Sequence, residues 1–130
     1  MKLTAEGLVV HEGELLISEA HLADVARAIG TPSGTTSATL VPYFGPTIAG
    51  ETEFVDLLGL DLSKALLGGL NYEWRRPFRA GEKVHVRVVI EQVYDRGDNR
   101  FGVVVAEFTD SAGVVVQVQS ATFIEQGASA

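Results

Sequence analysis

The fold is decided by the stretch Gly69-Leu-Asn-Tyr-Glu-Trp-Arg-Arg-Pro77 and its continuation Phe78-Arg-Ala-Gly-Glu-Lys-Val84. Its first part alternates, with Leu70, Tyr72 and Trp74 on one face and Asn71, Glu73 and Arg75 on the other. A period of two is typical of a strand with one buried face. Pro77 lacks the backbone N–H that a ladder hydrogen bond needs, so we expect it to end the strand. The turn-forming residues around Gly81 then begin a second strand.

The sequence after this stretch predicts three long strands in succession. We place them at Lys83–Tyr94, Arg100–Thr109 and Val114–Ile124, separated by the turn clusters Asp95–Asn99 and Asp110–Gly113. In the first strand, Val84, Val86, Val88 and Ile90 share a face, and in the second, Val104, Ala106 and Phe108 do. Long strands joined by short turns predict an antiparallel meander.

The first half of the chain predicts two helices. Ser18 is a suitable N-cap for a helix that runs to Ile29, with an apolar stripe at helical spacing and Gly30 just beyond it. A second, central helix is predicted to include Thr47 to Leu57, with Gly50 in its interior.

Two shorter segments flank these helices. Residues 8–17 predict either an edge strand or an extended lead-in, interrupted by Gly13. Residues 61–69 predict a further helical turn before the double glycine. Helices followed by a meander give an α+β fold in which a helix lies across one face of the sheet.

Composition limits the classes of function. A length of 130 residues predicts one domain, residues 1–130. The net charge of −7 argues against a nucleic-acid partner, because binding to phosphate requires a basic surface. The chain has no cysteine, which excludes disulfides, thiolate catalysis and cysteine-based metal sites. It has no apolar run long enough to span a membrane and no signal-peptide pattern, so we expect a cytoplasmic protein.

The block Tyr72-Glu-Trp-Arg-Arg-Pro-Phe-Arg-Ala-Gly-Glu-Lys-Val84 resembles a stretch of the MaoC-like hydratase and dehydratase family. Val41-Pro-Tyr-Phe44 resembles that family's entry to the central helix, and Ser18–Ile29 resembles its first helix. The resemblance extends over nearly the whole chain and is strongest to the family's non-catalytic subunits. It implies the hot-dog fold, in which a curved antiparallel sheet wraps around a central helix.

Catalytic members of the family add or remove water across an acyl thioester carried on coenzyme A or acyl carrier protein. Their Asp-x-Asn-Pro-[Ile/Leu]-His pattern supplies an acid/base pair. At that place this chain has Gly30-Thr-Pro-Ser-Gly34 instead. The resemblance therefore implies a non-catalytic subunit of a heteromeric (3R)-hydroxyacyl-thioester dehydratase, without a cofactor or metal. Its partner would be a catalytic MaoC-like hot-dog subunit, or a second copy of the chain.

Two sets of residues are candidates for binding the acyl thioester. Core packing explains the first set, but these residues are also expected to line an acyl pocket: Tyr43, Phe44, Gly45, Ile48 and Trp74. We expect Arg75, Arg76 and Arg79 to contact the carrier protein or a coenzyme A phosphate. Alternatively, they form an intrachain ion pair.

Two other functions remain open. One is a stand-alone hot-dog thioesterase that uses Glu51 or Glu53 of the central helix as its acid, although a solvent-facing or interface position is the more usual one for glutamate. The other is a homodimer that binds an acyl thioester without chemistry. His11, His21 and His85 are expected to be structural or solvated rather than catalytic.

Overall fold

The computed structural model describes residues 1–20, 23 and 50–127. After a short 3-10 turn, Leu3–Ala5, it contains five strands and the central helix. In chain order these are β1 (Val9–Leu16), α1 (Glu51–Leu58), β2 (Ala65–Trp74), β3 (Lys83–Arg96), β4 (Asn99–Thr109) and β5 (Val115–Glu125). No helix in this part of the chain is long and apolar enough to cross a membrane.

The strands form one antiparallel sheet in the order β1-β3-β4-β5-β2. The predicted meander is confirmed, because β3, β4 and β5 are neighbours joined by short turns. Most of the segment of residues 8–17 forms the edge strand β1 (Val9–Leu16), which pairs with β3 with a register shift between Val9 and His11. Strand β2, which contains the decisive stretch, forms the other edge and pairs only with β5 among the described strands. It ends at Trp74, three residues before Pro77.

One face of the sheet carries the core. The valines and isoleucine predicted to share a face of β3 are completely buried, and Val104, Ala106 and Phe108 of β4 lie opposite them. The alternation in these two strands therefore predicted the buried face correctly. Phe54 and Leu58 of α1 join the same core, and the ring of Phe54 lies 5.0 Å from that of Phe123 on β5. The helix thus packs on this inner face, as the hot-dog arrangement requires.

Helix α1 begins later than predicted. Gly50 is its N-cap rather than an interior residue. The φ angle of Gly50 is 119°, which residues other than glycine rarely adopt. A Cβ at Gly50 would collide with the carboxylate oxygen Oε2 of Glu53, which folds back over the start of the helix. The helix ends at Gly59, and the N–H of Leu60 donates to the carbonyl of Val55. Residues 47–49 lie outside the described part of the chain.

The helical turn predicted for residues 61–69 is limited to one hydrogen-bonded turn, in which the N–H of Lys64 donates to the carbonyl of Asp61, and the residues after it are not helical. Strand β2 already starts at Ala65, because the backbone of Ala65 pairs with Glu125 of the antiparallel strand β5. The double glycine lies within the strand, where the register shifts between Leu67 and Gly69. Glycines weaken a strand but suit such a bulge. Of the predicted first helix, Glu19, Ala20 and Ala23 are helical, and most of the remainder lies outside the described residues.

A buried ion pair joins the beginning of the chain to the end of the sheet. The Met1 ammonium donates to the carboxylate of Glu125 at 2.6 Å, and the backbone N–H of Asp61 donates to the same oxygen at 2.9 Å. Burial raises the pKa of Glu125, but these two donors outweigh it and hold the pKa below its usual value.

Candidate functional site

Three aromatic rings line the inner face of the sheet where β2 ends. The ring of Trp74 contacts Phe78 edge-on at 5.4 Å, and Phe78 contacts Phe108 in the same way at 5.4 Å. Phe78 and Phe108 are buried, whereas Trp74, on the edge strand, is half-buried. The decisive stretch therefore places an aromatic cluster beside the open edge of the sheet.

Two buried glutamines of β5 lie within this cluster. Gln117 is 0% exposed and in register with both Trp74 and Phe108, and Gln119, next on the same face, is 3% exposed. The Nε2 of Gln119 donates to the Oε1 of Gln117 at 3.0 Å. Among the described residues, the Nε2 of Gln117 is the buried side-chain atom without a hydrogen-bond partner. Such a donor costs about 1–3 kcal/mol of stability unless another group accepts its hydrogen bond.

The sequence analysis did not identify this amide pair. In Val115-Val-Gln-Val-Gln119 the glutamines alternate with valines, and an isolated alternation of this kind favours polar residues on the solvent face. The register with β4 reverses that expectation, since it sets Gln117 opposite the buried Phe108. One signal was available: Phe108 was predicted to face the core, and pairing it with the next strand would have brought Gln117 to the same face.

The three candidate arginines have different environments. Arg76 makes a two-pronged ion pair with Glu82, at 2.9 and 2.7 Å, and reaches Asp110 at 3.4 Å. The hydrogen bonds that Arg76 donates to Glu82 raise the pKa of Arg76 further above its usual value. Arg75 and Arg79, in contrast, have exposed side chains on either side of Pro77. The side chains of Arg75 and Arg79 are thus accessible to an anionic ligand.

The remaining candidate residues are described only in part. Glu53 is exposed near the start of α1, and the side chain of Glu51 lies outside the described part of the structure, as do Tyr43, Phe44, Gly45 and Ile48. His85 lies on the outer face of the sheet, where its Nε2 is 3.0 Å from Glu12. His11 is half-buried on β1, and His21 is not described.

The outer face of the sheet has a shallow depression of about 270 Å³. Its lining comes from two neighbouring strands: Arg87, Val89, Glu91, Val105 and Glu107. Arg87 lies 3.8 Å from Glu12 of β1, so its charge is already compensated.

Comparison with known proteins identifies the family. Residues 17–119 match the model of the FAS1-like dehydratase domain region. The chain belongs to this dehydratase family of MaoC-like hot-dog proteins. A UPF0336 protein of Streptomyces coelicolor is 31% identical over 91 residues, which are 70% of this chain and 61% of that protein. The aligned region thus spans less than two thirds of that relative.

Solved structures share the fold. The HadBC (3R-hydroxyacyl-ACP dehydratase) complex of Mycobacterium tuberculosis superposes with a TM-score of 0.63 at 16% identity, with 95% of this chain and 98% of that chain covered. A MaoC-like dehydratase of Phytophthora capsici gives 0.71 at 16% identity, with 100% and 52% covered. The ChsH1-ChsH2 complex of Mycobacterium tuberculosis gives 0.54 at 14% identity, with 93% and 97% covered. The predicted hot-dog fold and MaoC-like family are confirmed.

Proposed function

We propose that this chain is the non-catalytic, substrate-shaping subunit of a heteromeric (3R)-hydroxyacyl-thioester dehydratase. One observation carries the proposal: the chain belongs to a dehydratase family, yet its sequence has Gly30–Gly34 where catalytic members have the Asp/His pattern. Without that pair the chain lacks the acid and base that the family uses to move protons to and from the substrate at neutral pH. A second subunit supplies the acid and the base.

The open edge of β2 is the place for that subunit. Four leucines in and before this strand are about half exposed or more: Leu62, Leu66, Leu67 and Leu70. An unpaired edge with exposed apolar side chains favours addition of another strand. In the hot-dog family, partner sheets join side by side, and permanent interfaces of this kind bury about 2,000 Å² or more. Two of the similar structures are complexes of such subunits.

The substrate is an acyl thioester of coenzyme A or acyl carrier protein. Trp74 and the undescribed Tyr43, Phe44, Gly45 and Ile48 shape its apolar pocket in this proposal. The exposed Arg75 and Arg79 contact the acidic carrier or a phosphate, while Arg76 holds the local structure through Glu82. The acyl chain thus enters beside the subunit boundary.

The decisive assay measures hydration of crotonyl-CoA by the purified chain alone. We expect no hydration above background, because the acid/base pair is absent. Hydration by the lone chain would overturn the proposal. Thioester hydrolysis that disappears in Glu51→Gln or Glu53→Gln would instead identify a thioesterase, and thioester binding without either reaction in any complex would identify a binding module.

A further inference from the structure

The amide of Gln117 combines two properties that a packing residue does not need. Its side chain is fully buried, and its Nε2 has no hydrogen-bond partner in the described part of the structure. Buried polar groups in proteins are almost always hydrogen-bonded. A leucine or methionine at this position would fill the same space between aromatic neighbours without that cost.

The position of the amide relates it to the open edge of the sheet. Gln117 lies on β5, one strand in from the edge strand β2. Its cross-strand neighbour there, Trp74, is half-buried, as is Tyr72 opposite Gln119. Burial therefore decreases from the amide pair towards the edge, which is the direction from which the proposed acyl ligand enters.

The second amide fixes the orientation of the first. Because Gln119 donates to the Oε1 of Gln117, the Nε2 of Gln117 is directed away from this bond and is left to donate to another group. Two amides held together in an aromatic setting provide a localised donor in an otherwise apolar surface. A site of this composition selects a ligand that is mainly apolar and carries one acceptor oxygen.

We propose that the Nε2 of Gln117 donates a hydrogen bond to an oxygen of the bound acyl thioester. The acceptor is either the thioester carbonyl or a hydroxyl on the acyl chain. This inference rests on the proposed function and adds to it a polar, specificity-determining residue within the acyl pocket. Trp74 and Phe108 provide the apolar walls on either side of it.

The test compares the full chain with Gln117→Met, using octanoyl-CoA and 3-hydroxyoctanoyl-CoA as probes in titration calorimetry. Loss of one hydrogen bond weakens binding by about three- to tenfold. If the acceptor is the chain hydroxyl, only the hydroxylated probe is weakened. If it is the thioester carbonyl, both probes are weakened equally. The matched control is Gln92→Met, the same exchange at an exposed position of β3, which should leave both affinities unchanged.

Unchanged affinity of Gln117→Met for both probes would overturn the proposal and assign the donor to a buried water. The proposal would also be overturned if the unsubstituted chain bound neither probe. The proposed function is tested separately, because hydration by the lone chain would contradict it. A measurement on the unsubstituted protein avoids any folding defect of the variant. The side-chain amide NMR signal of Gln117 should shift when the thioester is added, and a signal that stays in place would contradict the inference.

Discussion

The arginines around Pro77 show how neighbouring residues of one type acquire different roles. Arg76 is held by Glu82 and Asp110, while Arg75 and Arg79 extend into solvent. The sequence analysis predicted carrier contact for all three and did not distinguish them. The ion pair of Arg76 with Glu82 depends on how the turn at Gly81 brings the two residues together. Burial raises the pKa of Glu82, yet the hydrogen bonds from Arg76 and the Arg79 N–H outweigh it and lower the pKa.

We therefore predict that Arg76→Met lowers the free energy of unfolding by about 1–2 kcal/mol at neutral pH, as expected for a partly buried, two-pronged ion pair. The Glu82 pKa is lowered in the folded state, so this stabilisation is present above its ordinary value of 4.5 and is lost as the pH falls through the folded-state pKa. Urea denaturation should accordingly show a difference between the proteins that shrinks in acid.

Arg75→Met is the control, because it removes the same charge and side chain from an exposed neighbour. Its unfolding free energy should stay within about 0.5 kcal/mol of the unsubstituted protein. Equal losses in both variants would mean that the ion pair contributes nothing, and a deficit of Arg76→Met that is independent of pH would contradict the assigned role of Glu82.

At the scale of the elements, alternation predicted β3 and β4 well because each has one apolar and one mixed face. It failed where tertiary pairing overrides local preference. Strand β2 incorporates the leucines and the double glycine of residues 66–69, since β5 supplies its hydrogen-bond partners. Likewise, Gln117 and Gln119 are polar but buried, because the pairing of β5 with β4 places them on the inner face of the sheet. Long-range pairing of this kind is not encoded in a local window of sequence.

We predict that Leu66→Lys weakens assembly without unfolding the subunit. Leu66 is 50% exposed on the edge strand, so a lysine remains solvated in the free chain but would be buried against a second sheet. Sedimentation should give a dimer for the unsubstituted chain at micromolar concentration and a monomer for the variant.

Val114→Lys is the matched control, an equally apolar and exposed side chain at the turn between β4 and β5. It should sediment like the unsubstituted chain. A monomeric unsubstituted chain, or loss of the dimer in Val114→Lys alone, would show that the β2 edge is not the interface.

At the scale of the whole molecule, the antiparallel sheet and its helix were predictable because strand periodicity, turn residues and the Arg-Pro/Ala-Gly block agree with one another. The candidate site was predictable only in part. Trp74 was identified from the strand pattern, but the glutamines adjoining it require the register of three strands. In the proposed function the acid and the base belong to another chain, so they could not be identified in this sequence.

In the proposed function, this chain completes a dehydratase whose chemistry resides in its partner. The most direct measurement is a titration of a catalytic MaoC-like hot-dog subunit with this chain, followed by the rate of crotonyl-CoA hydration. We predict a rate that rises until the subunits are equal in number and then stays constant, with Leu66→Lys failing to produce the rise. Full activity of the catalytic subunit without this chain, or hydration by this chain alone, would contradict the claim.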